Sequence, residues 1–228
     1  MDDRRLTLHR LRAACGLVGP AVFTAAWLVN GWRQHGYPIA DEHISGLAAL
    51  DADHPRSMIT GFVTLGTCTV VFAIELRRLL SAGGRRPGFG PLLLGLGGVA
   101  GVAAGLLRRD TVLLHPPGRD PGYEQSWHNN GHDLSAGLIY ATSVLAPLLL
   151  ARRFRRDGAW AGLVPAALAS CGASVVLMVT FAADVDRHLN GIVQRVMVTV
   201  PQVFMAAVAV RALLSPSAEA TVPVRPSH

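Results

Sequence analysis

Six long apolar runs, separated by polar connections, constrain the fold of this chain more than any other feature. A helix needs roughly 17–25 mostly apolar residues to cross a hydrocarbon core of about 30 Å. Six runs approach that length: 13–32, 58–74, 91–107, 134–151, 160–183 and 192–214. They occupy most of the 228 residues, so the sequence predicts an all-α, multi-pass membrane protein with six transmembrane helices in one bundle. We expect a basic N-terminus (1–12), the membrane domain (13–214) and a disordered tail (215–228).

The basic residues predict how the bundle is oriented. All 21 are arginine, and 14 of them lie at the N-terminus, after the second run, after the fourth run, or from the end of the sixth run onwards. Positive charges accumulate on the cytoplasmic side of membrane proteins. Both termini are therefore predicted to be cytoplasmic, in a protein of the cell membrane. Topology accounts for the net charge of +6, and nucleic acid is not expected as a partner.

The connections on the opposite side carry a different chemistry. Seven of the nine histidines and ten of the fifteen acidic residues lie in three segments, 33–56, 108–133 and 184–188. Long polar and aromatic connections in a compact bundle are more often functional than decorative. We therefore expect an outward-opening polar pocket, with Asp41, Ser45 and Asp110 as candidate catalytic residues. The expected ligand is a membrane lipid or a hydrophobic small molecule.

A pair of histidines at the start of the fourth run predicts a metal site. His128 and His132 are four residues apart, which places both imidazoles on one face if the helix already includes His128. Together with His188, three imidazoles and a water would form an open zinc site in which the bound water becomes a nucleophile. In the alternative interpretation, residues 129–131 break the turn and the two histidines only cap the helix.

One arginine lies inside an apolar run. Arg195 falls about one turn into the sixth run, and a charge at that depth is a functional-site hypothesis. Its guanidinium requires an anion, which is either a nearby carboxylate, such as Asp41, Asp110 or Asp184, or a substrate phosphate or carboxylate. The structural alternative is a buried ion pair or a side chain that extends to the interface. Arg195 and His132 complete the candidate catalytic set.

The arrangement resembles the family of bacterial membrane proteins called domain of unknown function 998, over about residues 11–214. The matching stretches are YPIADEHISGLAA, RSMITGFVTLG, LLRRDTVLLHPPG, SWHNNGHDLSAG and NGIVQRVMVTVPQVF. The resemblance implies a membrane bundle and roles for a small set of positions, namely 44–47, Asp110, 116–118, His128, His132, Gln194 and Arg195. In this chain two arginines precede Asp110, where the family more often has apolar or small residues.

The chain is also similar, more distantly, to the membrane hydrolases that include alkaline ceramidases and progestin-receptor-like proteins. Those proteins use a serine, an aspartate and three histidines around zinc in a seven-helix bundle. The resemblance implies that these roles are filled here by Ser45, Asp110, His128, His132 and His188.

Three functions are compatible with these features. The first is an intramembrane enzyme that acts on a lipid or isoprenoid-like substrate, by metal-assisted hydrolysis or by acid–base-driven cyclisation or isomerisation. The second is a small transporter or lipid-binding protein in which the pocket binds without reaction. The third is a structural membrane subunit whose loops contact a partner. The connections on the arginine-rich side offer little besides arginine, which favours an enzyme over a transporter.

Overall fold

The computed structural model describes residues 3–117, 123–183 and 187–215. Within them the chain forms six α-helices and no strand. The helices are α1 (Asp3–Arg33), α2 (Pro55–Leu80), α3 (Gly90–Leu106), α4 (Trp127–Phe154), α5 (Val164–Ala183) and α6 (Asn190–Leu213). Each one contains all or most of a predicted apolar run, so the all-α membrane fold is confirmed. Apart from Ser215, the predicted tail lies outside the described residues, as do Gly118 and Asp184.

Five of the helices are long and apolar enough to cross a membrane, and α3 is a shorter apolar helix of 17 residues. At 1.5 Å per residue, α3 is about 25 Å long. Several of the others extend beyond the predicted runs at the arginine-rich side. The first helix begins at Asp3, so most of the predicted basic N-terminus is helical. The protein is therefore a multi-pass membrane protein, and the assignment of its cytoplasmic side stays a prediction from the arginines.

The six helices form a closed ring. Each helix packs against the next one in the sequence, and α6 packs against α1. Elements that follow each other in a sequence usually lie side by side, and successive crossings of a membrane make neighbouring helices antiparallel. The ring has two ends. The arginine end comprises the start of α1, the α2–α3 and α4–α5 connections and the end of α6, and the loop end comprises the other three connections.

An apolar cluster fills the ring at the arginine end. Side chains from α1, α2, α4, α5 and α6 meet there. Phe72, Leu150 and Phe154 are among those almost completely excluded from the surface. The ring of Phe154 stacks on Trp160, with 5.5 Å between the ring centroids. This packing forms the floor of the space that lies nearer the loop end.

Paired charges surround that floor. Arg153 donates to the carbonyl oxygens of Leu80 and Arg86 at 2.6 and 3.0 Å. Its guanidinium also lies 3.2 Å from the buried carboxylate of Asp157, which Arg85 approaches to 2.9 Å. Burial acts to raise the pKa of Asp157, but the bonds from the two arginines outweigh it and lower the pKa. The arginine end is thus joined across two connections by a satisfied ion-pair network.

Candidate functional site

A cavity of about 380 Å³ lies at the centre of the ring. All six helices contribute to its walls, for example through Phe23, Phe62, Leu94 and Val198. Most of the lining consists of apolar side chains and glycines. Among the described residues, the ionisable side chains of the lining lie toward the loop end, and they are His43, Arg109, His132, Asp133 and Tyr140. The cavity is therefore amphipathic, with a long apolar part and one polar end.

A short 3-10 helix, Ile44–Ala48, forms the ceiling of the cavity, and all of its residues are buried. The carbonyl oxygens of its last residue and of the next one accept from the Arg108 guanidinium at 2.9 and 2.5 Å. Gly46 packs so closely on the Val112 carbonyl that a Cβ at this position would overlap the oxygen. These contacts hold the ceiling against the α3–α4 connection.

Glu42 joins the same two connections just before the ceiling. Its carboxyl is buried, and Oε2 accepts from the Leu114 amide at 2.8 Å. Burial raises the pKa of Glu42, and this effect outweighs the hydrogen bond from Leu114 and the positive charge of Arg109, which lower it. The carboxyl lies outside the cavity lining, so its main contribution is to hold the connections together.

Gln194 of α6 links the ceiling to the cavity wall. Its side-chain carbonyl accepts from the Ile44 amide at 2.7 Å, and its amide group donates to the Tyr140 hydroxyl at 3.2 Å. Because the hydroxyl accepts this bond, its own proton is directed elsewhere. That proton has no acceptor among the described residues. Tyr140 therefore presents a donor at the cavity wall.

His43 and Arg109 form a second polar pair at this end. The Nη1 atom of Arg109 lies 3.3 Å from Nδ1 of His43. A guanidinium can only donate, so Nδ1 accepts and the proton of the neutral ring is on Nε2. The ring of His43 packs against Phe181 of α5, with 5.0 Å between the ring centroids. Both side chains thus bring N–H groups to the polar end of the cavity.

His132 has the opposite hydrogen-bonding character. Its Nδ1 lies 2.8 and 3.0 Å from the carbonyl oxygens of Ala104 and Leu107 at the end of α3. Carbonyl oxygens only accept, so Nδ1 carries the proton and Nε2 of the neutral ring keeps a lone pair. The side chain is buried in the cavity wall. The end of α3 therefore holds His132 in the tautomer whose second nitrogen is a base.

Asp110 and His128 belong to the start of α4 rather than to the cavity wall. Asp110 accepts from the backbone amide and hydroxyl of Ser126, which caps the helix, and from the Tyr123 hydroxyl. Burial acts to raise the pKa of Asp110, but these hydrogen bonds outweigh it and lower the pKa. His128 Nδ1 contacts the Ser126 hydroxyl and the Arg108 carbonyl. Asp110 is thus a stable carboxylate that anchors the helix start.

The three histidines of the predicted zinc site are not brought together. His128 and His132 do share α4, which begins at Trp127, but their Nδ1 atoms contact carbonyls of different residues. His188 is exposed and lies 3.9 Å from the Asp41 carboxylate. Within the described ranges, no group of three or more histidines, cysteines, aspartates or glutamates is placed to hold a metal ion. Zinc binding stays a prediction that this geometry does not support.

Arg195 lies behind the ceiling, outside the cavity lining. Its guanidinium donates to the carbonyl oxygens of Glu42 and Gly191 at 2.9 and 2.8 Å, and to the Tyr37 hydroxyl at 2.7 Å. It also lies over the rings of Trp27 and Tyr37, 5.5 and 5.7 Å from their centroids. Neutral oxygens and aromatic faces thus stabilise this charge. None of the described carboxylates pairs with it, and Asp184 lies outside the described residues.

Through Tyr37, Arg195 fixes the backbone that carries His43. The Tyr37 hydroxyl donates to the carbonyl oxygens of Glu42 and His43 at 3.2 and 3.0 Å. Burial raises the pKa of Tyr37 to about 12, so the hydroxyl stays a donor at neutral pH. The geometry therefore makes Arg195 a positioning residue for the ceiling, and its predicted catalytic role stays a prediction.

Residues 17–211 match the family described as "Protein of unknown function (DUF998)". The match covers most of the chain. This protein belongs to the DUF998 family. No curated protein and no solved structure matches the chain, and the similarity to alkaline ceramidases therefore stays a prediction.

The candidate catalytic residues of this DUF998 protein separate into distinct groups. Ser45 and His132 line the cavity. Asp110 lies at the start of α4, Asp41 pairs with His188 at the surface, and Arg195 supports the ceiling. The structure therefore places only two members of the predicted catalytic set at the cavity wall.

Four ionisable lining residues of this DUF998 protein were absent from that set: His43, Arg109, Asp133 and Tyr140. For Arg109 a signal existed in the sequence, since few arginines lie on the side opposite the arginine clusters. A positive charge kept there against the topological preference needs a structural or functional reason. Tyr140 lies in the middle of an apolar run and carries no comparable signal.

Proposed function

We propose that the central cavity binds an amphipathic, mostly apolar molecule from the membrane, with a hydrogen-bond-accepting head at the loop end. The observation that carries the proposal is the cavity itself, whose walls are apolar over most of their extent and whose ionisable groups gather at one end. Membrane lipids and lipophilic small molecules have the same distribution of polarity. The cavity volume of about 380 Å³ falls within the roughly 300–1,000 Å³ typical of small-molecule sites.

The energetics of filling the cavity favour such a ligand. A void left unfilled costs about 24 cal/mol per Å³ in well-studied cores. For a space of this size the cost is on the order of several kcal/mol, so a molecule that fits the apolar part gains dispersion contacts. A polar molecule would lose its hydration there without replacement hydrogen bonds. The apolar walls thus select the body of the ligand.

The polar end selects the head of the ligand. Arg109, the Nε2 side of His43 and the Tyr140 hydroxyl all bring hydrogen-bond donors to this end. A carboxylate, phosphate or carbonyl oxygen accepts from such donors, and bonds to a charged donor are the stronger ones. We therefore assign the head to the class of hydrogen-bond acceptors.

Binding of parinaric acid, a fatty acid that becomes fluorescent in apolar surroundings, tests the proposal in reconstituted protein. Ala136 lines the cavity, whereas Ala141 lies on the exposed face of the same helix. Ala136→Phe should weaken binding by about tenfold, because overpacking costs about 1–3 kcal/mol. Ala141→Phe is the matched control and should bind like the wild type.

Lipid extraction gives a second readout that needs no chosen probe. Mass spectrometry of extracts from the purified proteins should find a molecule that is retained by the wild type and by Ala141→Phe but lost from Ala136→Phe. Equal retention and equal parinaric acid affinity in the two variants would place the binding site elsewhere and contradict the proposal.

We infer a second candidate function, proton transfer to or from the bound molecule, from the fixed tautomer of His132. A neutral imidazole with a free lone pair at a cavity wall is suited to act as a general base. His132→Asn keeps an N–H group for the α3 carbonyls but removes the base. Turnover of a membrane extract, followed by mass spectrometry, should be lost in this variant while parinaric acid affinity is kept. Turnover equal to that of the wild type would exclude His132 as the base.

A further inference from the structure

We infer that the cavity opens sideways into the membrane between α4 and α5, near the loop end, and that amphipathic molecules dissolved in the bilayer reach the cavity through this opening. The identity of the molecules rests on the proposed function. The existence of the opening rests on the packing of the two helices alone.

The α4 side of the opening is formed by residues that belong to the cavity and to the outer surface at once. Asp133 and Gly137 both line the cavity, and both are exposed. They are four residues apart and therefore follow each other on one face of the helix. A Cβ placed on Gly137 would meet no atom within 4 Å. Among the described residues, none therefore packs against α4 at Gly137.

The same face of α4 is buried nearer the arginine end. Ala151 lies on the same side as Asp133, since eighteen residues make five turns at 3.6 residues per turn. Ala151 is buried in the apolar cluster of the arginine end. The contact between α4 and α5 is therefore tight at the arginine end and open toward the loop end.

The α5 side shows the same change along its length. Its first eleven residues include the buried Ala167, Ser170 and Ser174. From residue 175 to 183 none of its residues is buried. Phe181 lies in this loosely packed half and still lines the cavity, where its ring approaches His43 and Tyr140. The second half of α5 thus borders the cavity without sealing it against α4.

The depth of the opening identifies what it faces. Gly137 lies ten residues, about 15 Å, from the first residue of α4. It also lies one turn inside the apolar stretch that begins at Leu134. At this level a helix in a bilayer is surrounded by acyl chains. Asp133 is one turn nearer the loop end, so the polar end of the cavity and the polar rim of the opening are at similar heights. A molecule with its head toward the loop end can move sideways without inverting.

A small apolar diazirine, which forms a carbene on illumination and labels whatever it contacts, tests the opening directly. Met197 is almost completely buried and lines the cavity, so its labelling reports access to the interior. The probe is added to protein in bilayers and illuminated after increasing delays. Gly137→Trp should slow the labelling of Met197 several-fold, and Gly137→Leu should have an intermediate effect. Gly137→Ala should have little effect.

Gly172 provides the matched control. It is an exposed glycine on α5, a Cβ on it would also meet no atom within 4 Å, and it is not part of the cavity lining. Gly172→Trp should label at the wild-type rate. Equal rates in the two tryptophan variants, or no labelling of Met197 in the wild type, would overturn the inference. The probe has no polar head, so these outcomes are independent of parinaric acid binding, which tests the proposed function separately.

Discussion

The two ends of the ring stabilise their buried charges with different partners. At the arginine end, Arg153 pairs with Asp157, and His9 lies 2.8 Å from the carboxylate of Glu75, which is completely buried. At the loop end, Arg195 is held by carbonyl oxygens, a hydroxyl and aromatic rings. Charges that pair with each other contribute to closing one end. Arg153 and Arg195 both donate to backbone carbonyl oxygens, but among the described residues only Arg153 also pairs with a carboxylate.

The two ends also differ in how densely they are packed. An apolar cluster fills the arginine end, whereas toward the loop end the ring encloses a cavity with donors at its polar end. If the cavity binds the proposed ligand, we expect the arginine end to contribute most to stability and the loop end to recognise the head of the ligand. Substitutions at the two ends should therefore separate unfolding from binding.

Asp157→Ala should have the largest effect on folding. It leaves Arg153 buried without its carboxylate, and breaking a buried ion pair by removing one partner costs about 3–5 kcal/mol. We expect about 3 kcal/mol here, because carbonyl oxygens still accept from Arg153. Thermal or denaturant unfolding in detergent measures the loss. Asp53→Ala is the control, since Asp53 pairs with His35 at the exposed surface of the loop end, and no comparable loss is expected. Similar losses of unfolding free energy in both variants would contradict the expectation that the arginine end contributes more to stability than the loop end.

Arg109→Gln should have the largest effect on binding. It removes the positive charge from the polar end of the cavity but keeps an amide donor. Hydrogen bonds to charged groups contribute about 1.5–3 kcal/mol, so affinity for parinaric acid should fall about 10- to 100-fold. The methyl ester of the same acid carries no charge and should lose less.

Two further variants test whether a change in affinity comes from the donors at the polar end of the cavity. Arg56→Gln changes an exposed arginine of the loop end and should leave the affinity unchanged. Tyr140→Phe removes one neutral donor with little change in shape and should weaken binding a few-fold. If all three variants bind the acid like the wild type, the head does not lie at these donors.

Acidification should change the stability contributed by the two ends with opposite signs. We expect these changes to be smaller than the effects of the substitutions above. The pKa of Asp157 is lowered, so its stabilisation is present at neutral pH and is lost as the pH falls from about 3.9 through the lowered pKa. The pKa of Glu42 is raised by burial, so its ionised form destabilises the fold at neutral pH. This penalty is relieved as the pH falls through the raised pKa toward about 4.3.

Melting temperatures of Asp157→Asn and Glu42→Gln, compared with the wild type across pH, measure the two signs. The advantage of the wild type over Asp157→Asn should shrink on strong acidification. The disadvantage of the wild type relative to Glu42→Gln should shrink on mild acidification. Parallel curves for Glu42→Gln and the wild type would show that burial of Glu42 does not govern its ionisation.

The sequence predicted the helices because apolar run length in a membrane protein is a local property. It located their ends less well. The first helix continues back to Asp3 because arginine is a good helix former and the chain outside the hydrocarbon stays helical. Likewise the helical start of α4 at Trp127 depends on the Ser126 cap and its anchor Asp110, which is sixteen residues away.

The candidate site was predicted less completely, because it depends on which connections meet across the ring. The sequence singled out Ser45 and His132, which do line the cavity, but also Asp41 and His188, which pair at the surface. The role of Arg195 as support for the ceiling was not predicted, since two of its partners are backbone carbonyls, which carry no sequence signature. A sequence shows which residues have ionisable or nucleophilic side chains. It does not show whether those side chains are buried or which way they point.

The bonds that hold the ceiling also determine when it can form. Ile44 is fixed by Gln194, and the backbone at Glu42 by Arg195, so each bond joins residues 150 or more positions apart. A chain is synthesised from its N-terminus, and contacts between distant residues form after the segments between them exist. Until α6 has been made, the first connection lacks the hydrogen bonds from Gln194 and Arg195. This holds even when the earlier helices are already inserted and paired. Completion of the polar end therefore has to wait for the last helix.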